Sequence, residues 1–201
     1  MDINGLYFRE FRKLRINAIK HFCSFFGRLY LFAAGIKFGK NLIFYGHPYF
    51  FRTPNSTIII GNNVAFRSDK TSNLIGVSKK CIVSTLQKGA SIQIGDNIGF
   101  SGVTIGAAKK ITIGSNVLVG ANSLITDTNW HNILPDKRRT DDSEPKEVII
   151  EDNVFIGFGS IILKGVRIGK NSVIGAGSVV IFDIPENTIA AGNPCKPIRA
   201  F

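Results

Sequence analysis

Residues 150–180 read IEDNVFIGFGSIILKGVRIGKNSVIGAGSVV. Ile150, Ile156, Ile162, Ile168, Ile174 and Val180 recur six apart without a slip. Gly157, Gly169 and Gly175 directly follow three of them. Small or β-branched residues stand four positions on, at Val154, Ser160, Val166, Ser172 and Ser178. A period of six fits neither an α-helix nor a simple alternating strand. It fits short strands joined by tight corners, three faces and about eighteen residues to a coil. The aliphatic residue points into the prism and stacks on its equivalent in the next coil. The Gly beside it allows a backbone conformation that a side chain would resist. Coils stack at strand spacing, about 4.8 Å, and each buries its interior against its neighbours.

Working outward, the hexads continue at Ile113-Gly114, Val119-Gly120 and Ile125. They recur at Ile94-Gly95 with Phe100 and at Ile60-Gly61 with Phe66, and start more loosely at Phe38-Gly39 with Phe44. The pattern predicts an all-β solenoid over residues 36–201. It stops after Ile125 and resumes at Ile150, an interval of 25 that no multiple of six matches. A loop over 126–149 is therefore extruded from the prism, and loops of that length in a compact domain are usually functional. This one holds Asp127, Asn129, Trp130 (the only Trp), His131, Asp136, Lys137, Arg138 and Arg139. Of the other two histidines, His21 falls in a basic helical segment and His47 in the first, irregular coil. A neutral imidazole can take the proton of a hydroxyl as that hydroxyl attacks a carbonyl; taken bare, His131 is either an ordinary loop histidine or such a base. Asp127, four residues upstream, is a candidate to fix its tautomer, or else an ordinary loop cap. Trp130 is either a stacking platform for a sugar or packing under the loop.

Upstream of the hexads, residues 1–40 carry eight of the chain's 25 Lys/Arg and two of its 14 acids. The net charge of +11 is thus mostly a property of this segment. Phe8, Phe11, Leu14, Ala18, Phe22, Phe25 and Leu29 recur at steps of three and four, a helical stripe. The spacing predicts a basic amphipathic helix over about 6–26, with a connector to residue 35. Either it packs its Phe face on the rest of the chain, or it lies on an anionic membrane with its cations at the head groups. No segment is a long enough apolar run to span a bilayer. Three cysteines without a CxxC argue against a disulfide framework or zinc site and for a reducing, cytoplasmic setting. The histidines lack the spacing of a three-His zinc site. With the basic segment removed the excess falls to +5, and no nucleic-acid motif is present, so a nucleic-acid partner is not expected.

The hexads resemble the left-handed parallel β-helix of the hexapeptide-repeat transferases. Two stretches sharpen the likeness. ITIGSNVLVGANSLITDTNWHNI (111–133) resembles the active-site coil of the sugar acetyltransferases and of those of bacterial polysaccharide biosynthesis. VIGAGSVVIFDIPENTIAAGNPCKPIR (173–199) resembles the coenzyme A-binding end of the same group. The resemblance implies an acetyl-coenzyme A-dependent O-acetyltransferase acting on a sugar hydroxyl in surface polysaccharide biosynthesis, by direct transfer with His131 as base and without a metal. Acetyl-coenzyme A would be the co-substrate. It assigns Phe158, Ala176, Lys196 and Arg199, with the tail 183–201, to coenzyme A. Asn129, Trp130 and Ser101 fall to the acceptor, a free, nucleotide-linked or lipid-linked saccharide. Asn129 stands where the related enzymes often carry an acid. Ser101-Gly102 replaces the family's Asn-bearing segment, and Ile181 and Phe182 replace a usual Thr-Lys pair. A homotrimer with sites between prisms is implied, in the cytoplasm or peripheral at the inner face of the plasma membrane. The alternatives are an N-acetyltransferase on an amino sugar and a non-catalytic scaffold.

Overall fold

The computed structural model describes residues 2–139 and 144–201. A single helix, α1 (Ile3–Ala33), precedes the strands. Asp2 caps it by accepting the Gly5 N–H at 2.9 Å. It is longer than the stripe predicts, because it runs through Gly27 rather than ending there. Gly27 is needed for space: a Cβ would overlap the Phe44 ring.

The strands follow in coils of three. The first coil is β1 (Lys37–Phe38), β2 (Ile43–Tyr45) and β3 (Tyr49–Arg52). The second is β4 (Thr57–Ile60), β5 (Ala65–Arg67) and β6 (Ile82–Thr85). The third is β7 (Ser91–Ile94), β8 (Gly99–Ser101) and β9 (Thr104–Ala107). The fourth is β10 (Lys110–Ile113), β11 (Leu118–Val119) and β12 (Leu124–Thr126). After the extruded loop come β13 (Val148–Ile150), β14 (Phe155–Ile156) and β15 (Ile161–Ile162), then β16 (Arg167–Ile168), β17 (Val173–Ile174) and β18 (Val179–Val180). Every third strand pairs in parallel, so each coil gives one strand to each of three sheets. The second sheet ends in β19 (Thr188–Gly192) and an antiparallel β20 (Cys195–Ala200).

The hexad residues meet in register as predicted: Ile150 lies opposite Ile168, Ile156 opposite Ile174 and Ile162 opposite Val180. All six are buried in one core that runs the length of the prism. The early coils fill the same position with Phe44, Phe66 and Phe100, whose rings stack up the axis. Corners turn on asparagines held near φ +60°, a conformation that Asn tolerates better than most residues. Their amides form a ladder, Asn63 to Asn97 at 2.9 Å and Asn97 to Asn116 at 3.0 Å, so each corner aligns the next.

Two features go beyond what the pattern decides. Residues 68–81 form a second extruded segment between β5 and β6. The gap in hexads between Phe66 and Val83 is its only trace in the sequence. And α1 does not bury its Phe stripe: Phe8, Phe11, Leu14, Phe22, Phe25 and Leu29 are all exposed. The helix attaches by its other side. Cys23, Ser24 and Leu31 are buried against the first coil, and Ser24 Oγ accepts the Phe44 N–H at 2.9 Å. The helix thereby closes the open end of the core.

Candidate functional site

The long loop leaves the prism after β12 and rejoins it at β13, at the corner between the third and first sheets. Asp127 fastens its neck. The side chain is fully buried; Oδ1 accepts the Ala108 N–H at 2.7 Å, and Oδ2 accepts those of Lys109 and Lys110 at 2.7 and 2.6 Å. Its main-chain carbonyl accepts the Lys146 N–H at 2.9 Å, pairing the outgoing and returning strands of the loop. Burial pushes the Asp127 carboxyl up, and the three N–H groups pull it back. This corrects the expectation that Asp127 orients His131. Both of its oxygens are turned to residues 108–110 of the preceding coil, so the residue is a loop cap.

His131 has another partner. Its ring is exposed on the loop, with Nδ1 3.2 Å from the Arg138 main-chain carbonyl. A carbonyl oxygen can only accept, so Nδ1 carries a proton, and in the neutral ring the lone pair is on Nε2. A turn of 3-10 helix over Pro135–Lys137 bends the chain so that residue 138 comes back to His131. A main-chain partner has no residue-type signal, and no reading of side chains would have found it.

Trp130 sits at φ +64°, with its N–H on Thr128 Oγ1 at 3.3 Å. This left-handed turn lays the indole back over Gly106, where a Cβ would come within 2.9 Å of the ring. The ring is both packed on one side and half exposed on the other. With Thr53, Leu86, Gln87, Lys88, Ala108 and Thr128 it lines a groove of about 480 Å3. These residues follow the third-sheet strands of coils one to four, so the groove runs down one corner of the prism. Asn129 is exposed beside it. The imidazole itself is one residue away, on the rim of the loop rather than in the wall of the groove.

The expected donor residues lie elsewhere. Phe158 and Ala176 occupy equivalent turns at the corner between the second and third sheets, in successive coils. The turns stack closely. Phe158 O accepts the Gly177 N–H at 2.7 Å, and a Cβ on Gly157 would overlap the Ala176 backbone. Both residues are exposed. Ser101 belongs to the same corner, two coils before Phe158, but is buried; its Oγ accepts from Asn73 of the second extruded segment at 3.1 Å. Lys196 and Arg199 are exposed on β20, opposite Ala191 and Ile189. One chain therefore groups Asn129, Trp130 and His131 at one corner and Ser101, Phe158 and Ala176 at another.

Comparison with known proteins agrees with this anatomy. A family model described as the hexapeptide repeat of succinyl-transferase matches residues 110–126 and 147–181. A galactoside O-acetyltransferase of Lactococcus lactis is 52% identical over 89 residues, covering 44% of this chain and 42% of that protein. The chain thus matches less than half the length of that relative. Among solved structures, a galactoside acetyltransferase in complex with coenzyme A superposes with a TM-score of 0.52 at 30% identity, over 82% of this chain and 64% of that one. The Bacillus cereus N-acyltransferase AntD, as a variant in complex with dTDP-4-amino-4,6-dideoxyglucose and coenzyme A, superposes with a TM-score of 0.67 at 22% identity, over 86% and 88%. The fold is the left-handed parallel β-helix of these structures. Repeat, register and extruded loop agree with these likenesses: residues 110–126 and 147–181 carry the hexapeptide repeat, and the chain is similar in sequence to acetyltransferases built on it.

Proposed function

We propose that this protein transfers an acetyl group from acetyl-coenzyme A to a saccharide hydroxyl in surface polysaccharide biosynthesis, with His131 as general base. The observation that carries the reading is the Nδ1 contact to the Arg138 carbonyl, which makes Nε2 the proton-accepting nitrogen of the neutral ring, one residue along the chain from the Trp130 that lines the groove. A sugar ring can stack its apolar face on the exposed half of the indole. Nε2 then takes the proton as the hydroxyl oxygen attacks the thioester carbon. The C–S bond of the thioester breaks as the acetyl ester forms, and the leaving thiolate takes that proton from the imidazolium, leaving as the thiol with His131 neutral again. Coenzyme A needs cations for its phosphates and a channel for its pantetheine arm. Lys196 and Arg199 can supply the former, and the stacked turns at Phe158 and Ala176 one wall of the latter. The oxygen acceptor is favoured by the 52% identity over 89 residues to a galactoside O-acetyltransferase. An amino-sugar acceptor would need the same base.

Labelled acetyl-coenzyme A incubated with the protein and a panel of free, nucleotide-linked and lipid-linked sugars should label a saccharide at oxygen. Coenzyme A binding without any transfer would make the protein a scaffold. Label on nitrogen would make it an N-acetyltransferase.

The two corners point to a shared site. His131 and the donor residues are on different edges of one prism, so the reaction needs the His131 corner of one copy beside the donor corner of another. Three such contacts close a ring, a homotrimer with cyclic symmetry. The expected test is complementation. His131→Ala and the double variant Lys196→Glu/Arg199→Glu should each be nearly inactive. Subunit exchange between them should restore about a quarter of full activity, the random share of sites with both sides intact. Mixtures no more active than the parents, or a monomer by light scattering, would refute the shared site.

A further inference from the structure

We propose that α1 docks the protein on an anionic bilayer, setting the β-helix end-on to the lipid surface. Tyr7, Phe11, Leu14, Phe22, Phe25 and Leu29, with Ala18 between them, follow one side of the helix, and each large side chain is more than half exposed. Cys23, Ser24 and Leu31 are buried on the opposite side, against the first coil. The stripe therefore faces away from the body. From Tyr7 to Leu29 it extends about 33 Å along the helix, a long apolar surface of the kind that marks an interaction site.

Charge selects the occupant. The helix carries six cations, Arg9, Arg12, Lys13, Arg15, Lys20 and Arg28, and one acid, Glu10. Pairing the stripe with that of a second copy would bring two such helices together against their own repulsion. An anionic lipid surface takes the apolar stripe and is attracted by the net positive charge of the helix, including that of Arg12 and Arg15, which are turned to the body of the protein. Among the described residues no helix is long and apolar enough to cross a membrane, so α1 lies on the bilayer rather than through it. It is also held in place beforehand. Arg12 donates to the Thr71 carbonyl at 2.9 Å, Arg15 pairs with Asp69 at 3.9 Å, and Tyr30 donates to the Phe50 carbonyl at 2.7 Å. A preformed stripe costs little ordering entropy on binding.

A second observation fits this orientation. The Trp130 groove runs from the fourth coil down to Thr53 in the first, the coil that α1 caps. Three coil steps place the His131 loop about 14 Å above the capped end. A saccharide carried on a lipid head group would enter from that end. This acceptor source rests on the transferase reading; the docking itself does not.

The test is flotation of the full chain with vesicles of phosphatidylcholine, alone or with a quarter phosphatidylglycerol. Binding should need the anionic lipid and weaken as salt rises. The variant Phe11→Ser/Phe22→Ser/Phe25→Ser should bind about tenfold less or weaker still, and the same positions changed to Leu should bind like the wild type. Both variants should acetylate a soluble acceptor normally, so that flotation is read apart from catalysis. Three results would overturn the proposal. The wild type could stay unbound to anionic vesicles, the Ser variant could float like the wild type, or light scattering could show a larger assembly that the Ser variant abolishes. The last would hand the stripe to a second copy.

Discussion

His131→Ala is expected to lower kcat for acetyl transfer by about 10²–10⁴-fold while leaving coenzyme A affinity and thermal stability near their wild-type values. The two halves of that expectation have separate causes. The imidazole is exposed, and its visible partner is the Arg138 main-chain carbonyl. Its removal leaves no buried cavity and strands no buried donor, so the fold should not respond. A sugar hydroxyl at neutral pH, in contrast, has no other neutral nitrogen base at this corner. His21 and His47 are on α1 and in the first coil, and His47 Nε2 stands 3.5 Å from Cys23 Sγ. His131→Asn should be as slow as the alanine variant, because an amide keeps hydrogen bonding but cannot accept a proton at this pH. Steady-state rates at saturating substrates, with calorimetry for coenzyme A, check both halves. Turnover within a few-fold of wild type in either variant would remove His131 from the chemistry.

The contrast between His131 and its surroundings shows what a sequence of this kind carries. The hexad positions were legible because the same physical demand recurs in every coil. A residue that must fill one-third of a prism interior and stack on its neighbours is aliphatic or Phe each time, and Ile150 through Val180 repeat it six apart. The loop was legible as an interruption of that demand. The groove was half legible. Trp130 stood out by composition, but its seat on Gly106 depends on the preceding coil and on a left-handed backbone at residue 130 itself. The partner of His131 was not legible at all, since a main-chain carbonyl belongs to every residue type. The helix stripe was read correctly as a stripe and left open as to its direction. Period fixes which residues share a face, while the side that meets the prism depends on Gly27 and Ser24 fitting against Phe44. The segment 68–81 left only a gap between hexads, and its contact to Ser101 comes through Asn73, a residue with no pattern to betray it.

Asp127→Ala should be the most destabilising single change at the loop, by about 4 kcal/mol, with a melting temperature lower by on the order of 10 °C. Three backbone N–H groups, on Ala108, Lys109 and Lys110, converge on its carboxylate at 2.6–2.7 Å in a buried corner. Hydrogen bonds to a charged acceptor each contribute about 1.5–3 kcal/mol. Part of that is returned because the carboxylate no longer has to be desolvated, and water can reach some of the freed donors. The damage should also spread to function by a path that His131→Ala does not take. Residues 108–110 are where the third coil passes into the fourth, and the pairing of Asp127 O with Lys146 N closes the neck from which the His131 loop hangs. Loosening the neck moves Trp130 and His131 relative to the groove, so the acceptor KM should rise together with the fall in kcat. Asp127→Asn separates charge from shape. The amide fills the same space and can accept with its oxygen, but its NH2 must face at least one of the three donors. It should recover only part of the lost stability. An alanine variant melting within about 2 °C of wild type would mean that the three N–H groups find other acceptors and that the loop is held by something other than its buried carboxylate.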